Sequence, residues 1–167
     1  ASGLARLGER ELALEVYRRG RERHPDDFAL HFEQGRILTP PPLESGPEPE
    51  LVEAVGCFRA ALALRPDNYA VRFLLGRVYD KLGEKRLALE QHEINLERRP
   101  DDPTLRFHQG YLTRDLGDPK RSIAILEPLF DVREPGWVAG WAHNSAGRAW
   151  LDLSEVEEAR RCFERAV

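Results

Sequence analysis

Only two cysteines, Cys57 and Cys162, occur in the 167 residues. Two thiols cannot form a disulfide framework, and no C-x-x-C or Cys/His spacing suited to zinc surrounds them, so a reducing, cytoplasmic setting is expected. Long apolar runs are missing as well. Nothing approaches the roughly 18 to 20 residues needed to cross a bilayer, and the N-terminus lacks the charged-then-apolar pattern of a signal segment, so no membrane contact is expected of this segment. Lysine is scarce: Lys81, Lys85 and Lys120 are the three among 25 basic residues, which 29 acidic ones outnumber to give a formal charge of -4. Without a basic excess, nucleic acid is not an expected partner. Phosphate-loop, nucleophile-elbow and dinucleotide motifs (G-x-x-x-x-G-K-[ST], G-x-S-x-G, G-x-G-x-x-G) are absent too. The histidines, His24, His31, His92, His108 and His143, are scattered, with no two at the one-turn spacing of a helical metal site. No metal, cofactor or catalysis is therefore expected.

What the sequence does have is a repeated phrase. RPDNYAVRFLLGRVYDKLGE, RPDDPTLRFHQGYLTRDLGD, HPDDFALHFEQGRIL and, more loosely, GWAHNSAGRAWLDLSE share one pattern, and Pro25, Pro66 and Pro100 stand 41 and 34 residues apart. Within Tyr69 to Leu82 the apolar residues Val71, Leu75, Val78, Tyr79 and Leu82 recur at helical spacing, which predicts one face turned to a core. Helix starts are marked by Asp102-Pro103 and Asp118-Pro119, and a capping box is expected from Ser154 to Glu157.

With its 34-residue period and with Leu75-Gly76, Tyr79, Gly83, Ala88, Asn95 and Pro100 at its positions, the chain resembles the tetratricopeptide repeat family. The resemblance implies an all-α fold, a right-handed superhelical stack of antiparallel helix pairs. The copies divide the chain into a partial repeat at 1–27, a repeat at 28–68 with a proline-rich insertion at 39–49, repeats at 69–102 and 103–136, and a last, truncated repeat at 137–167. Because both end copies are incomplete, the natural protein is expected to continue beyond them.

The insertion TPPPLESGPEP cannot remain helical, so the first helix of its repeat should stop near Leu38 and the second begin near Pro49 or Glu50, leaving an extended loop. It reads either as a tolerated lengthening or as a docking element. A shorter insertion at Pro135 to Ala139 brings Trp137, with Trp141 a turn later. Gln34 and Gln109 occupy places that are usually apolar, which could draw Phe32 and Phe107 inward.

In such arrays the first helix of each pair carries the recognition surface. Equivalent places give one row, Phe32, Phe73, Phe107 and Asn144, and a second, Arg36, Arg77, Tyr111 and Arg148, with Leu74, His108 and Trp141 beside them. Rings beside guanidinium groups suit a protein or extended peptide with acidic and hydrophobic side chains. Some relatives clamp the terminal carboxylate of chaperones with Lys, Arg and Asn. Here Phe32 with Arg36, Leu74, and Thr104 with His108 stand at those places, so no chaperone-tail binding is expected. The leading expectation is a non-catalytic interaction scaffold. The alternatives are a regulatory region of an enzyme whose catalytic domain lies outside this segment, and self-association through the end hairpins.

Overall fold

A computed structural model describes residues 2–41 and 46–166. Among them the secondary structure is helical throughout, with no strand. The α-helices are α1 (Ser2–Arg23), α2 (Phe28–Leu38), α3 (Glu48–Leu64), α4 (Tyr69–Lys81), α5 (Lys85–Arg98), α6 (Pro103–Asp115), α7 (Pro119–Leu126), α8 (Trp137–Asp152) and α9 (Val156–Arg165), with a 3-10 turn at Glu127–Leu129. No helix among the described residues is long and apolar enough to cross a membrane. The chain divides into two compact units, Ala1–Glu84 and Lys85–Val167.

In the first unit each helix packs on the next, α1 on α2, α2 on α3 and α3 on α4. The repeated Pro-Asp phrase explains where these helices start. Asp27 accepts hydrogen bonds from the Ala29 and Leu30 amides, and Asn68 from that of Val71, satisfying donors that the first turn leaves open. Leu14, Leu38, Leu51, Ala54, Phe58, Ala61, Val71, Leu75 and Val78 form the interior. α2 ends at Leu38 and α3 begins at Glu48, as the prolines require. Of the expected loop, residues 42–45 lie outside the described residues; on its near side the Lys81 ammonium donates to the Pro41 carbonyl at 3.0 Å.

The second unit also packs its helices in succession, α5 on α6, α6 on α7, α7 on α8 and α8 on α9, with α6 touching α8. Asp102 and Asp118 cap α6 and α7 as expected. Pro128 has no N–H to extend α7, which closes in the 3-10 turn. The residues inserted before the last repeat lengthen α8 at its start, giving it 16 residues against 13 in α6. This burial places Val138 in a core with Phe107, Leu126, Leu129, Ala142, Ala146 and Cys162.

The capping box does not form. Ser154 sits at φ 64°, in the left-handed region, where Gly83 and Gly117 also stand after α4 and α6. In that conformation its N–H reaches the Leu151 carbonyl and the next N–H, of Glu155, reaches that of Trp150, both at 2.9 Å. Ser154 therefore closes α8 instead of opening α9, whose N-cap is Glu155 without a side-chain bond.

Candidate partner-binding surface

In the first unit, α2 and α4 carry similar ring pairs one helical turn apart. Phe28 and Phe32 stack with centroids 5.8 Å apart, and Tyr69 and Phe73 at 6.2 Å. Phe32 and Phe73 are half-buried, as are Leu74 and Arg77 on α4. Arg36 is exposed and already holds Glu33, a turn earlier on α2, at 2.7 Å. The Arg65 guanidinium lies 4.1 Å from the centre of the Phe28 ring.

Gln34 is inaccessible to solvent, and its amide donates to the Glu53 carboxylate of α3 at 2.5 Å. Arg18 of α1 grips the same carboxylate with two hydrogen bonds, at 2.9 and 2.6 Å. That grip, more than any other influence, holds the Glu53 carboxyl below its ordinary value, against the opposing pull of burial. Arg10 adds a parallel tie from α1 to Glu50. The polar residue at Gln34 is thus part of a contact between three helices, and Phe32 stays half-buried.

The second unit gathers its candidates differently. Phe107 belongs to the interior, 8% exposed, so it is withdrawn from any surface. Its ring meets Trp137 edge-on at 5.5 Å and touches His108 and Tyr111. His108 in turn stacks on the buried His92 of α5 at 4.7 Å. Gln109 donates to Glu93 of α5 at 3.3 Å, a weaker version of the Gln34 contact.

On α8 the positions 137, 141, 144 and 148 fall on one line of the helix, spaced by four, three and four residues. Trp137 is 43% and Trp141 47% exposed; Asn144 is half-buried and Arg148 exposed. Gly136, Gly140 and Ala166 complete an open hollow of about 370 Å³ around the two indoles and Asn144. Arg148 makes no hydrogen bond or ion pair with the described residues. Asp152, one turn further, is drawn instead to Arg114 of α6, at 3.7 Å.

What lets α2 approach α3, α6 approach α7 and α8 approach α9 is a glycine at the same place in each of α2, α6 and α8. A methyl group on Gly110 would stand 2.5 Å from Leu126, and one on Gly147 2.7 Å from Phe163. This small-against-large contact, the left-handed closures and the Pro-Asp helix starts recur together along the sequence. The tetratricopeptide-repeat model matches residues 1–39 and 53–92.

Those residues carry tetratricopeptide repeats.

Solved structures share the arrangement. MamA from Desulfovibrio magneticus RS-1 superposes with a TM-score of 0.79 at 19% identity, over 99% of this chain and 88% of that one. A second MamA structure gives 0.77 at 15% identity, covering 97% and 89%. YrrB, described as a TPR protein with an unusual peptide-binding site, gives 0.75 at 22% identity, covering 99% and 80%. At these identities the likeness is one of fold. No curated protein matches the sequence.

Several features of the chain have no counterpart in sequence spacing alone. His92 and His108 are 16 positions apart, yet stack because α5 and α6 pack. His143 lies against Phe130 with ring centres 3.9 Å apart, and burial, aided by Arg165, pushes its pKa down. Both cysteines are buried and their thiols pushed up by that burial, the opposite of an activated nucleophile. Among the described residues no three His, Cys, Asp or Glu side chains converge as metal ligands.

Proposed function

We propose that this tetratricopeptide-repeat chain is a protein-interaction scaffold that holds an extended segment of a partner on the exposed side chains of its first-in-pair helices. The observation that carries the reading is the α8 line: two indoles each more than two-fifths exposed, followed by a half-buried amide and a guanidinium with no acid beside it. Exposed aromatic side chains clustered next to hydrogen-bonding groups are the composition of a binding surface, because rings supply area at low entropic cost and polar groups fix direction. YrrB, a TPR protein with an unusual peptide-binding site, lends the reading support.

Within the second unit the recognition residues are Trp141, Asn144 and Arg148, flanked by Trp137, Tyr111 and His108. In the first unit Phe32, Arg36, Phe73, Leu74 and Arg77 form a separate candidate surface. Arg36 is the weaker contributor there, since a partner must first displace Glu33.

Selection from a random peptide library displayed on phage tests the proposal. Peptides should enrich on the wild-type chain and fail to bind the triple variant Trp141→Ala, Asn144→Ala, Arg148→Ala. If nothing enriches, or every enriched peptide binds the triple variant and a Phe32→Ala, Phe73→Ala variant equally well, neither face is the binding surface.

A further inference from the structure

The spacing on α8, taken together with the amide of Asn144, narrows the backbone conformation of what binds there: an α-helical ligand would match the interval but spends its carbonyls on its own hydrogen bonds and leaves Asn144 without a backbone partner. Trp141 and Arg148 are seven residues apart on one face, a separation of about 10 Å along the axis at 1.5 Å per residue. A β-strand offers side chains on one face about 7 or 13 Å apart, and neither value fits. A polyproline II helix repeats every three residues and brings side chains onto one face about 9 Å apart. Trp137 and Asn144 are separated by the same seven residues, so the line repeats the interval once more.

Charge completes the fit. An indole face accepts an apolar side chain or a proline ring, and Arg148 needs a carboxylate. Its nearest acidic neighbour along the helix, Asp152, is committed to Arg114, and no described group neutralises Arg148. Asn144, midway between Trp141 and Arg148, offers an amide that can both donate to and accept from a peptide backbone. A polyproline II backbone makes no internal hydrogen bonds, so its carbonyls are available to such a group.

We infer that the α8 line takes a polyproline II segment carrying a bulky apolar side chain at one position and a carboxylate three residues away, the first on Trp141 and the second on Arg148. The inference rests on the binding role proposed above for this face and adds to it the conformation and register of the ligand. Such a segment arrives already ordered, which lowers the entropic cost of holding it on an open surface.

The test uses proline-rich synthetic dodecapeptides with one leucine and one glutamate, titrated calorimetrically against the whole chain. One probe places the glutamate three residues from the leucine; controls move it to a spacing of two, replace it by glutamine, or transfer the same pair to a glycine-serine host. The first probe should bind, and moving the glutamate or changing it to glutamine should weaken binding about tenfold, as expected for loss of one charge-assisted hydrogen bond. Arg148→Ala should erase the difference between glutamate and glutamine, and Trp141→Ala should weaken all the probes; both side chains are exposed enough for the variants to fold, which circular dichroism checks. Binding that needs Trp141 yet ignores register, carboxylate and host overturns this inference and leaves the proposed surface standing. Absence of binding by all the probes also overturns it. If, in addition, library-selected peptides do not depend on Trp141, Asn144 or Arg148, the proposed α8 surface falls as well.

Discussion

Gly35 of α2 and the Phe58 ring of α3 meet so closely that a methyl group on the glycine would stand 2.7 Å from the ring's Cε1. Phe58 is wholly buried and has no room to withdraw. Gly35→Ala should therefore destabilise the first unit by about 1 to 3 kcal/mol through overpacking, an effect that outweighs the roughly 1 kcal/mol alanine gains in helix propensity. Gly56, on α3 with nothing within 4 Å of an added methyl, is the control: Gly56→Ala should stabilise. Thermal unfolding of the two variants, followed by circular dichroism, checks the opposite signs.

Ser154 occupies a backbone conformation that costs an ordinary residue about 1 kcal/mol and glycine almost nothing. Ser154→Gly should raise stability by about that amount, because the closure of α8 is kept and the strain removed. Ser154→Ala should give no gain, which separates relief of strain from loss of the hydroxyl.

Glu53 holds Gln34 and Arg18 while ionised, and its carboxyl is depressed in the folded chain, chiefly by Arg18. A depressed acid stabilises the fold above its unfolded pKa, about 4.3, and loses that contribution as pH falls through the lower folded value. The first unit should thus lose stability below about pH 4 more steeply in the wild type than in Glu53→Gln. At neutral pH Glu53→Ala, which strips the buried Gln34 amide of its acceptor, should cost about 1 to 3 kcal/mol.

His143 gives a second pH dependence in a different range. Burial against Phe130 lowers its pKa, so below the ordinary histidine value of about 6.5 the unfolded chain takes up a proton that the folded chain refuses. Stability of the second unit should fall as pH drops from about 6.5 toward that lower folded value. His143→Phe should flatten the slope between pH 7 and pH 5, measured as the urea midpoint at each pH.

Periodicity and punctuation made the helices legible. The Pro-Asp phrase fixes where α2, α4 and α6 begin, and the proline run fixes where α2 must stop, since both act through local backbone chemistry. Ser154 misled because serine before Glu157 has the same local signature whether it opens one helix or closes the preceding one, and the length of α8 decides between them. The candidate surface was less legible. Row positions were sound as places on a helix, but partners across helices were not encoded: Phe107 is drawn into the core below Trp137, Arg36 is taken by Glu33, and only Arg148 of the three row arginines is exposed without an acid. Gln34 looked like a packing fault because its acceptor, Glu53, is 19 residues away on another helix.

All three tryptophans of the chain, Trp137, Trp141 and Trp150, lie on α8. Indole emission from the whole protein is thus the signal of a single helix in the second unit, and occupation of the Trp141 face by a ligand should shift it without an added label. The same placement makes unfolding experiments informative, because fluorescence follows the second unit while circular dichroism sums both. Coincident transitions by the two probes would mean that the units melt as one cooperative body, and separated transitions that each has a stability of its own.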